Sequence, residues 1–173
     1  MPYFCPGINA MNKAIVFLSI LAATPALADE GFFDFGVGVA NSAKQHTGEV
    51  KVGSIGLREE IYQGIYWQYK LGYFGDGSGD PGRHGSIYAS MGPGMLIDLR
   101  PIEMRAGYGI AAISKPDSYL GGRFPQFQGE VYFGFRDHRG NGIGVEYQHI
   151  SSAGFVTPNR GRDFVVLQLS QQW

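Results

Sequence analysis

The chain has 173 residues, a formal net charge of −1 and only 17% charged residues. This length suits a single domain, and the near-neutral charge without a basic face excludes nucleic-acid binding driven by electrostatics. The 27 glycines, 12 phenylalanines and 10 tyrosines favour strands and turns. The single cysteine, Cys5, precedes the predicted export signal, so the mature chain is expected to lack disulfides and thiolate metal sites.

The N-terminal segment predicts an export signal peptide. A lysine precedes an apolar run over 14–23, and Ala-Leu-Ala at 26–28 is typical of a signal-peptidase site. The run is shorter than the roughly 20 residues that a membrane helix needs, which favours cleavage over an uncleaved anchor. We therefore divide the chain into a signal peptide, 1–28, with Met11 as an alternative start, and a mature domain, 29–173.

The mature domain is a series of short segments in which apolar or aromatic residues alternate with glycine and polar residues. This period of two predicts strands, and repeated alternating segments separated by turns are typical of transmembrane barrels. We predict an all-β fold, an eight-stranded antiparallel transmembrane β-barrel. Its strands are expected at about 31–40, 49–58, 62–73, 85–97, 101–112, 126–136, 142–151 and 162–173.

The connections between these strands alternate in length. Short ones are expected near Glu59-Glu60, 98–101 and 137–141, and longer ones after the odd-numbered strands, for example 74–84. Short periplasmic turns and longer outer loops are the pattern of bacterial outer-membrane barrels, which would leave both termini in the periplasm. Trp173, a terminal aromatic on an alternating strand, resembles the C-terminal signal of such barrels.

The interior of an eight-stranded barrel is filled by its own side chains, so a channel is not expected. Inward-facing charged residues should pair there; they are Glu103, Arg105, Glu130 and Arg136. A soluble barrel or sandwich is the alternative, but no helix or second sheet is evident that would cover the aromatic outer face.

Three polar residues have the parity of the lipid-facing side. His149 and Ser151 follow the apolar Val145 and Tyr147 on the seventh strand, and Asp163 shares the apolar parity of the eighth strand. Because antiparallel neighbours lie about 5 Å apart, Asp163 should lie beside His149. An imidazole between a hydroxyl and a carboxylate can activate a serine, and a site on the lipid face implies a lipid substrate. The alternative is a set of polar residues at the barrel rim.

The C-terminal half resembles the PagL family of lipid A 3-O-deacylases. The similarity is carried by AGYGIAAIS at 106–114, the Gly-Ile-Gly-Val segment at 142–145, HISSAG at 149–154 and PNRGRD at 158–163. The family motif is His-x-Ser-x-Ala-Gly followed at a fixed interval by Pro-Asn-x-Gly-x-Glu, and the interval here agrees without a gap. The first four strands resemble the family only in architecture.

The resemblance implies roles for individual residues. Ser151 would be the nucleophile, His149 the general base, and Asp163 the orienting acid, one methylene shorter than the glutamate usual in the family. The family has Asn where this chain has Ser152. Backbone N–H groups of Ser152 and Gly154 could still form an oxyanion hole, because that role needs no particular side chain. Next to this site, Arg160 and Arg162 would suit lipid A phosphates, or would be ordinary outer-loop charges.

The implied activity is hydrolysis of the acyl chain ester-linked at position 3 of lipid A, in the outer leaflet of the bacterial outer membrane, without a cofactor or metal. The partner is therefore lipid A or lipopolysaccharide, the protein is membrane-embedded, and a homodimer and a monomer both remain open. A non-catalytic barrel that packs against lipopolysaccharide or acts as an adhesin is the main alternative, and a phospholipase is the third.

Two other sequence features were considered as metal sites and carry less weight. The histidines His46, His84 and His138 lack metal-ligand spacing, and the 76–80 segment has an incomplete calcium-loop pattern.

Overall fold

The computed structural model describes residues 29–39, 49–75, 85–115, 120–155, 157 and 161–172. Several sequence predictions fall outside these residues: the signal peptide at 1–28, the 76–80 segment, and the residues His46, His84, Arg160 and Trp173. Among the described residues, no helix is long and apolar enough to cross a membrane.

Eight strands form one closed antiparallel barrel in which each strand pairs with its neighbours in sequence and the last pairs with the first. The eight-stranded antiparallel barrel predicted from the alternation is thereby confirmed. The strands are β1 (Glu30–Val39), β2 (Glu49–Tyr62), β3 (Ile65–Phe74), β4 (Ser86–Leu99), β5 (Ile102–Ile113), β6 (Gln126–Arg136), β7 (Asn141–Ser151) and β8 (Arg162–Gln172).

The predicted turn near Glu59-Glu60 is wrong, because β2 continues to Tyr62. Both glutamates pair with β3, and a register shift between Glu60 and Tyr62 ends the ladder. The chain then reverses through Gln63 and Gly64, where Gly64 has a φ of 76° and donates its N–H to the Glu60 carboxylate at 2.9 Å. Glu59 and Glu60 lie at the exposed end of β2. In the sequence, charged residues at the exposed end of a strand have the same polarity as charged residues in a turn.

The outward face of the barrel is apolar, as the alternation predicts. Along β6 and β7, large side chains that are about half exposed alternate with buried ones. The exposed members include Val131, Phe133, Phe135, Ile143, Val145 and Tyr147. Such a continuous apolar surface suits contact with hydrocarbon.

The centre of the lumen holds a network of buried charges. Lys70 contacts Glu130 at 2.9 Å and Glu146 at 2.6 Å. Glu103, predicted to pair inside the barrel, contacts Arg105 at 3.0 Å and hydrogen-bonds Arg136. Buried charges are tolerated only when they are paired, so this network allows the barrel to be filled with polar side chains.

At the end that carries the longer loops, the lumen contains a cluster of aromatic and aliphatic side chains. Phe74 stacks on Tyr88 at 6.0 Å and on Phe164 at 5.9 Å between ring centroids. The same cluster contains Val52, Ile113, Leu120, Ile150 and Val166. Ile150 and Phe164 are neighbours in sequence of His149 and Asp163, so this cluster anchors the strand ends that carry the candidate site from the inside.

Replacement of Val131 tests whether the outward face contacts lipid. Val131 lies in the middle of β6 and is 59% exposed. Val131→Arg should lower the free energy of unfolding from liposomes by about 2–4 kcal/mol, because a cation near the bilayer midplane loses its hydration. His138→Arg, which adds the same side chain in the exposed turn after β6, should change stability little. Equal denaturant midpoints for the two variants would contradict a lipid-facing surface at Val131.

Candidate active site

The register between β7 and β8 places His149 directly opposite Asp163. Ile150 and Phe164, the next residues on each strand, are buried inside the barrel, so His149 and Asp163 face outward. The side chain of His149 is 40% exposed and that of Asp163 only 10%. The structure thus brings together, on the outer face, the two residues that the sequence predicted to be neighbours.

A hydrogen bond joins Nδ1 of His149 to Oδ1 of Asp163 at 2.7 Å. An ionised carboxylate can only accept, so in the neutral ring Nδ1 carries the hydrogen and Nε2 is left as the acceptor. A histidine held in this tautomer can take a proton from a hydroxyl at Nε2. The pair therefore has the geometry of a general base with its orienting carboxylate.

Ser151 lies two residues beyond His149 on the same face of β7, which separates their Cα atoms by about 7 Å. Within the described part of the chain, no hydrogen bond joins Ser151 to His149. Ser151 ends the strand, and a turn follows in which Phe155 donates its N–H to the carbonyl of Ser152 at 3.0 Å. The hydroxyl is therefore positioned where the strand leaves the barrel wall.

The turn after Ser151 has positive φ at both central residues, 49° at Ala153 and 86° at Gly154. Together with the hydrogen bond from Phe155 to Ser152, this arrangement has the two positive φ values of a type I′ β-turn. Positive φ is uncommon for alanine, so the surrounding structure must hold Ala153 in place. The side chain of Ser152 is fully buried, on the opposite face from Ser151.

Gly161 makes room for the imidazole of His149. A Cβ atom at this position would lie 2.6 Å from Cε1 and 3.2 Å from Nε2 of His149. Gly161 also has a φ of 68°, which a residue with a side chain adopts only at a cost. The ring edge that bears Nε2 therefore lies against the backbone that leads into β8.

Comparison with protein-family models gives one decisive match. The model of the lipid A 3-O-deacylase (PagL) family covers residues 45–172. This chain belongs to the PagL family. It is therefore an outer-membrane β-barrel of bacteria, from an enzyme family that acts on lipid A, and the resemblance inferred from HISSAG and PNRGRD is confirmed at the level of the family.

Solved structures agree on the fold. The crystal structure of the outer-membrane enzyme PagL superposes with a TM-score of 0.64 at 22% identity, over 82% of this chain and 99% of that chain. Neisserial surface protein A has a TM-score of 0.63 at 10% identity, over 83% and 96% of the two chains. The Yersinia pestis outer-membrane protein Ail has a TM-score of 0.50 at 11% identity, over 84% and 99%. No curated protein matches this PagL-family chain.

The position of Arg162 corrects the expectation that it contacts substrate phosphates. Its side chain is fully buried, and the guanidinium lies 4.6 Å from the centre of the Phe74 ring in the lumen. Parity explains the difference, because Arg162 precedes the outward-facing Asp163 on β8 and must point inward. Arg162 is thus neither an outer-loop charge nor accessible to a lipid headgroup; its cation packs on the aromatic cluster.

Two features near the site were not anticipated from the sequence. Tyr147, recognised only as an apolar residue of the outer face, donates a hydrogen bond from its hydroxyl to Asp163. A strip of aromatic rings also borders Ser151: Phe127, its partner on β6, stacks on Tyr108 at 5.9 Å and contacts Phe155 at 5.8 Å. The shared parity of Tyr147 and His149 was the signal for the first feature. In the second feature, Tyr108 and Phe127 lie on strands, whereas the position of Phe155 depends on the conformation of the loop after β7.

The histidine and carboxylate side chains were also compared with the arrangements that bind metal ions. Among the described residues, no group of three or more histidine, cysteine, aspartate or glutamate side chains is arranged to hold a metal ion. His138, considered from the sequence, lies exposed in the turn between β6 and β7.

Substitution of Gly161 tests the packing of His149. Gly161→Ala should displace the imidazole and lower activity at least tenfold while the barrel still folds, because the added Cβ meets the ring edge at 2.6 Å. Gly64→Ala is the matched control: Gly64 also has positive φ, and its Cβ would meet the Leu96 carbonyl at 2.8 Å in a turn that joins β2 and β3. Both variants should lose stability, but only Gly161→Ala should lose activity. Similar activities for the two folded variants would contradict this role of Gly161.

Proposed function

We propose that this PagL-family chain hydrolyses the ester-linked acyl chain at position 3 of lipid A through a membrane-facing triad of Ser151, His149 and Asp163. The observation that carries the proposal is the 2.7 Å hydrogen bond between His149 and Asp163 on the outer face of the barrel. A base and its carboxylate placed on that face can meet a substrate only from the bilayer. An ester-linked lipid is the substrate class that such a site suits.

In the proposed reaction, Ser151 attacks the ester carbonyl and transfers its proton to Nε2 of His149. Backbone N–H groups of Ser152 and Gly154 stabilise the oxyanion, and His149 returns the proton to the departing sugar oxygen. Water then attacks the acyl-enzyme. His149 takes a proton from this water and returns it to the oxygen of Ser151, which releases the fatty acid. Asp163 keeps Nδ1 protonated and stabilises the imidazolium that forms in each step.

The aromatic strip suggests where the acyl chain lies. Phe127 is the direct cross-strand neighbour of Ser151, and the strip continues outward to Tyr108 and Phe155. Phe155 is 72% exposed, so its ring is available to hydrocarbon. A scissile carbonyl at Ser151 would leave its acyl chain beside these rings. The non-catalytic barrel considered from the sequence gains no comparable support, and the family match favours lipid A over the phospholipid of the third alternative.

The nucleophile is tested by Ser151→Ala. The variant should fold and insert normally, because Ser151 lies at the rim, and should release no fatty acid from lipid A above the background. Wild-type protein in detergent should release a 3-hydroxy fatty acid, detected by mass spectrometry, with EDTA present, because the proposed steps use only side chains and backbone. Ser90→Ala, a serine change on β4 away from the site, is the control and should leave the release of fatty acid unchanged. Undiminished release by Ser151→Ala would contradict the serine mechanism and leave the barrel unaffected.

The orienting acid is tested by Asp163→Asn. This change keeps the shape but removes the charge that stabilises the imidazolium and fixes its tautomer, so kcat should fall by about 10³- to 10⁴-fold. Asp163→Glu restores a carboxylate, the residue usual in the family, and should recover most of the turnover. Activity of Asp163→Asn equal to that of the wild type would show that this carboxylate does not orient His149.

A further inference from the structure

Tyr147 and His149 converge on one oxygen atom. The hydroxyl of Tyr147 donates to Oδ1 of Asp163, the same atom that lies 2.7 Å from Nδ1 of His149. Tyr147 is paired with Val165, so it reaches Asp163 along the diagonal between the two strands. Diagonal neighbours in a sheet are within reach of aromatic side chains.

The low exposure of Asp163 gives weight to each hydrogen bond that its carboxylate accepts. The side chain of Asp163 is only 10% exposed although it lies on the outer face, so its neighbours exclude most of the solvent from the carboxylate. A carboxylate with little solvent is stabilised by each charge-assisted hydrogen bond it accepts.

We propose that Tyr147 is a positioning residue that holds the carboxylate of Asp163 against Nδ1 of His149. The phenol is directional, so it restricts rotation of the carboxylate and keeps Oδ1 in line with the imidazole. Tyr147 acts through Asp163 and not on the substrate. The inference rests on the proposed triad, and it adds a fourth outward-facing side chain to it.

The test compares Tyr147→Phe with Tyr69→Phe. Both tyrosines are 46% exposed on the outer face, and Tyr69 lies on β3, away from the site. Tyr147→Phe should lower kcat for lipid A about tenfold with KM within about twofold, because a hydrogen bond to a charged group is lost and substrate contacts are not. Tyr69→Phe should match the wild type. Equal kcat for wild type and Tyr147→Phe would overturn the proposal.

A double-mutant cycle separates positioning from a general structural effect. In an Asp163→Ala background, Tyr147→Phe should lower the residual turnover by less than twofold, because no carboxylate remains to be held. A tenfold loss in both backgrounds would show that Tyr147 acts independently of Asp163. A difference in gel migration between unheated and heated samples of each variant shows that the barrel is folded.

Labelling of Ser151 by a fluorophosphonate gives a readout that does not depend on lipid A. Slower labelling of Tyr147→Phe than of Tyr69→Phe supports the positioning role even if the wild type fails to deacylate lipid A, in which case only the proposed substrate is wrong. Deacylation by the wild type, with no loss of turnover or labelling in Tyr147→Phe, rejects the positioning role and leaves the proposed function standing. Absence of both labelling and deacylation in the wild type rejects both proposals.

Discussion

The closure of the hydrogen-bonded barrel is the constraint from which the other features follow. In a bilayer, backbone N–H and C=O groups find no water, so every strand needs a partner on both sides. Pairing of β1 with β8 meets that requirement and removes the free edges. Closure then enforces strict alternation between lumen and lipid along each strand. A polar side chain with outward parity is therefore committed to the membrane side, as His149 and Asp163 are.

The filling of the lumen complements this constraint. Paired charges such as Lys70 with Glu146 occupy its centre, and the stacked rings of Phe74 and Phe164 occupy the end with the longer loops. Removal of one member of a buried pair leaves an uncompensated charge, so a single substitution in the polar part of the lumen destabilises the barrel. The aromatic part is adjacent to β7 and β8 where the candidate site begins. A closely packed support behind the wall limits the movement of His149 relative to Asp163, which a catalytic pair requires.

Much of this could be predicted because parity is a local property of the sequence. Alternation alone was sufficient for the eight strands, the inward Glu103 and the juxtaposition of His149 with Asp163. Parity also excludes Arg162 from the lipid headgroups, because this residue adjoins the outward-facing Asp163 on β8 and points into the lumen. The end of β2 and the role of Gly161 were beyond reach, because they depend on a register shift and on where a ring edge lies. The hydrogen bond from Tyr147 needs a diagonal contact that pattern alone does not specify.

The location of Ser151 at the end of its strand reconciles two opposing needs of ester hydrolysis at a membrane. Attack on a lipid ester requires access from the hydrocarbon side, whereas hydrolysis of the acyl-enzyme requires water. A hydroxyl deep in the wall would meet acyl chains without water, and one far out in a loop would lose the fixed geometry of the strand. The tight turn at Ala153 and Gly154 ends β7 immediately after Ser151. It thereby keeps the hydroxyl on a rigid element at the edge of the wall, where the interfacial region of the membrane supplies both reactants.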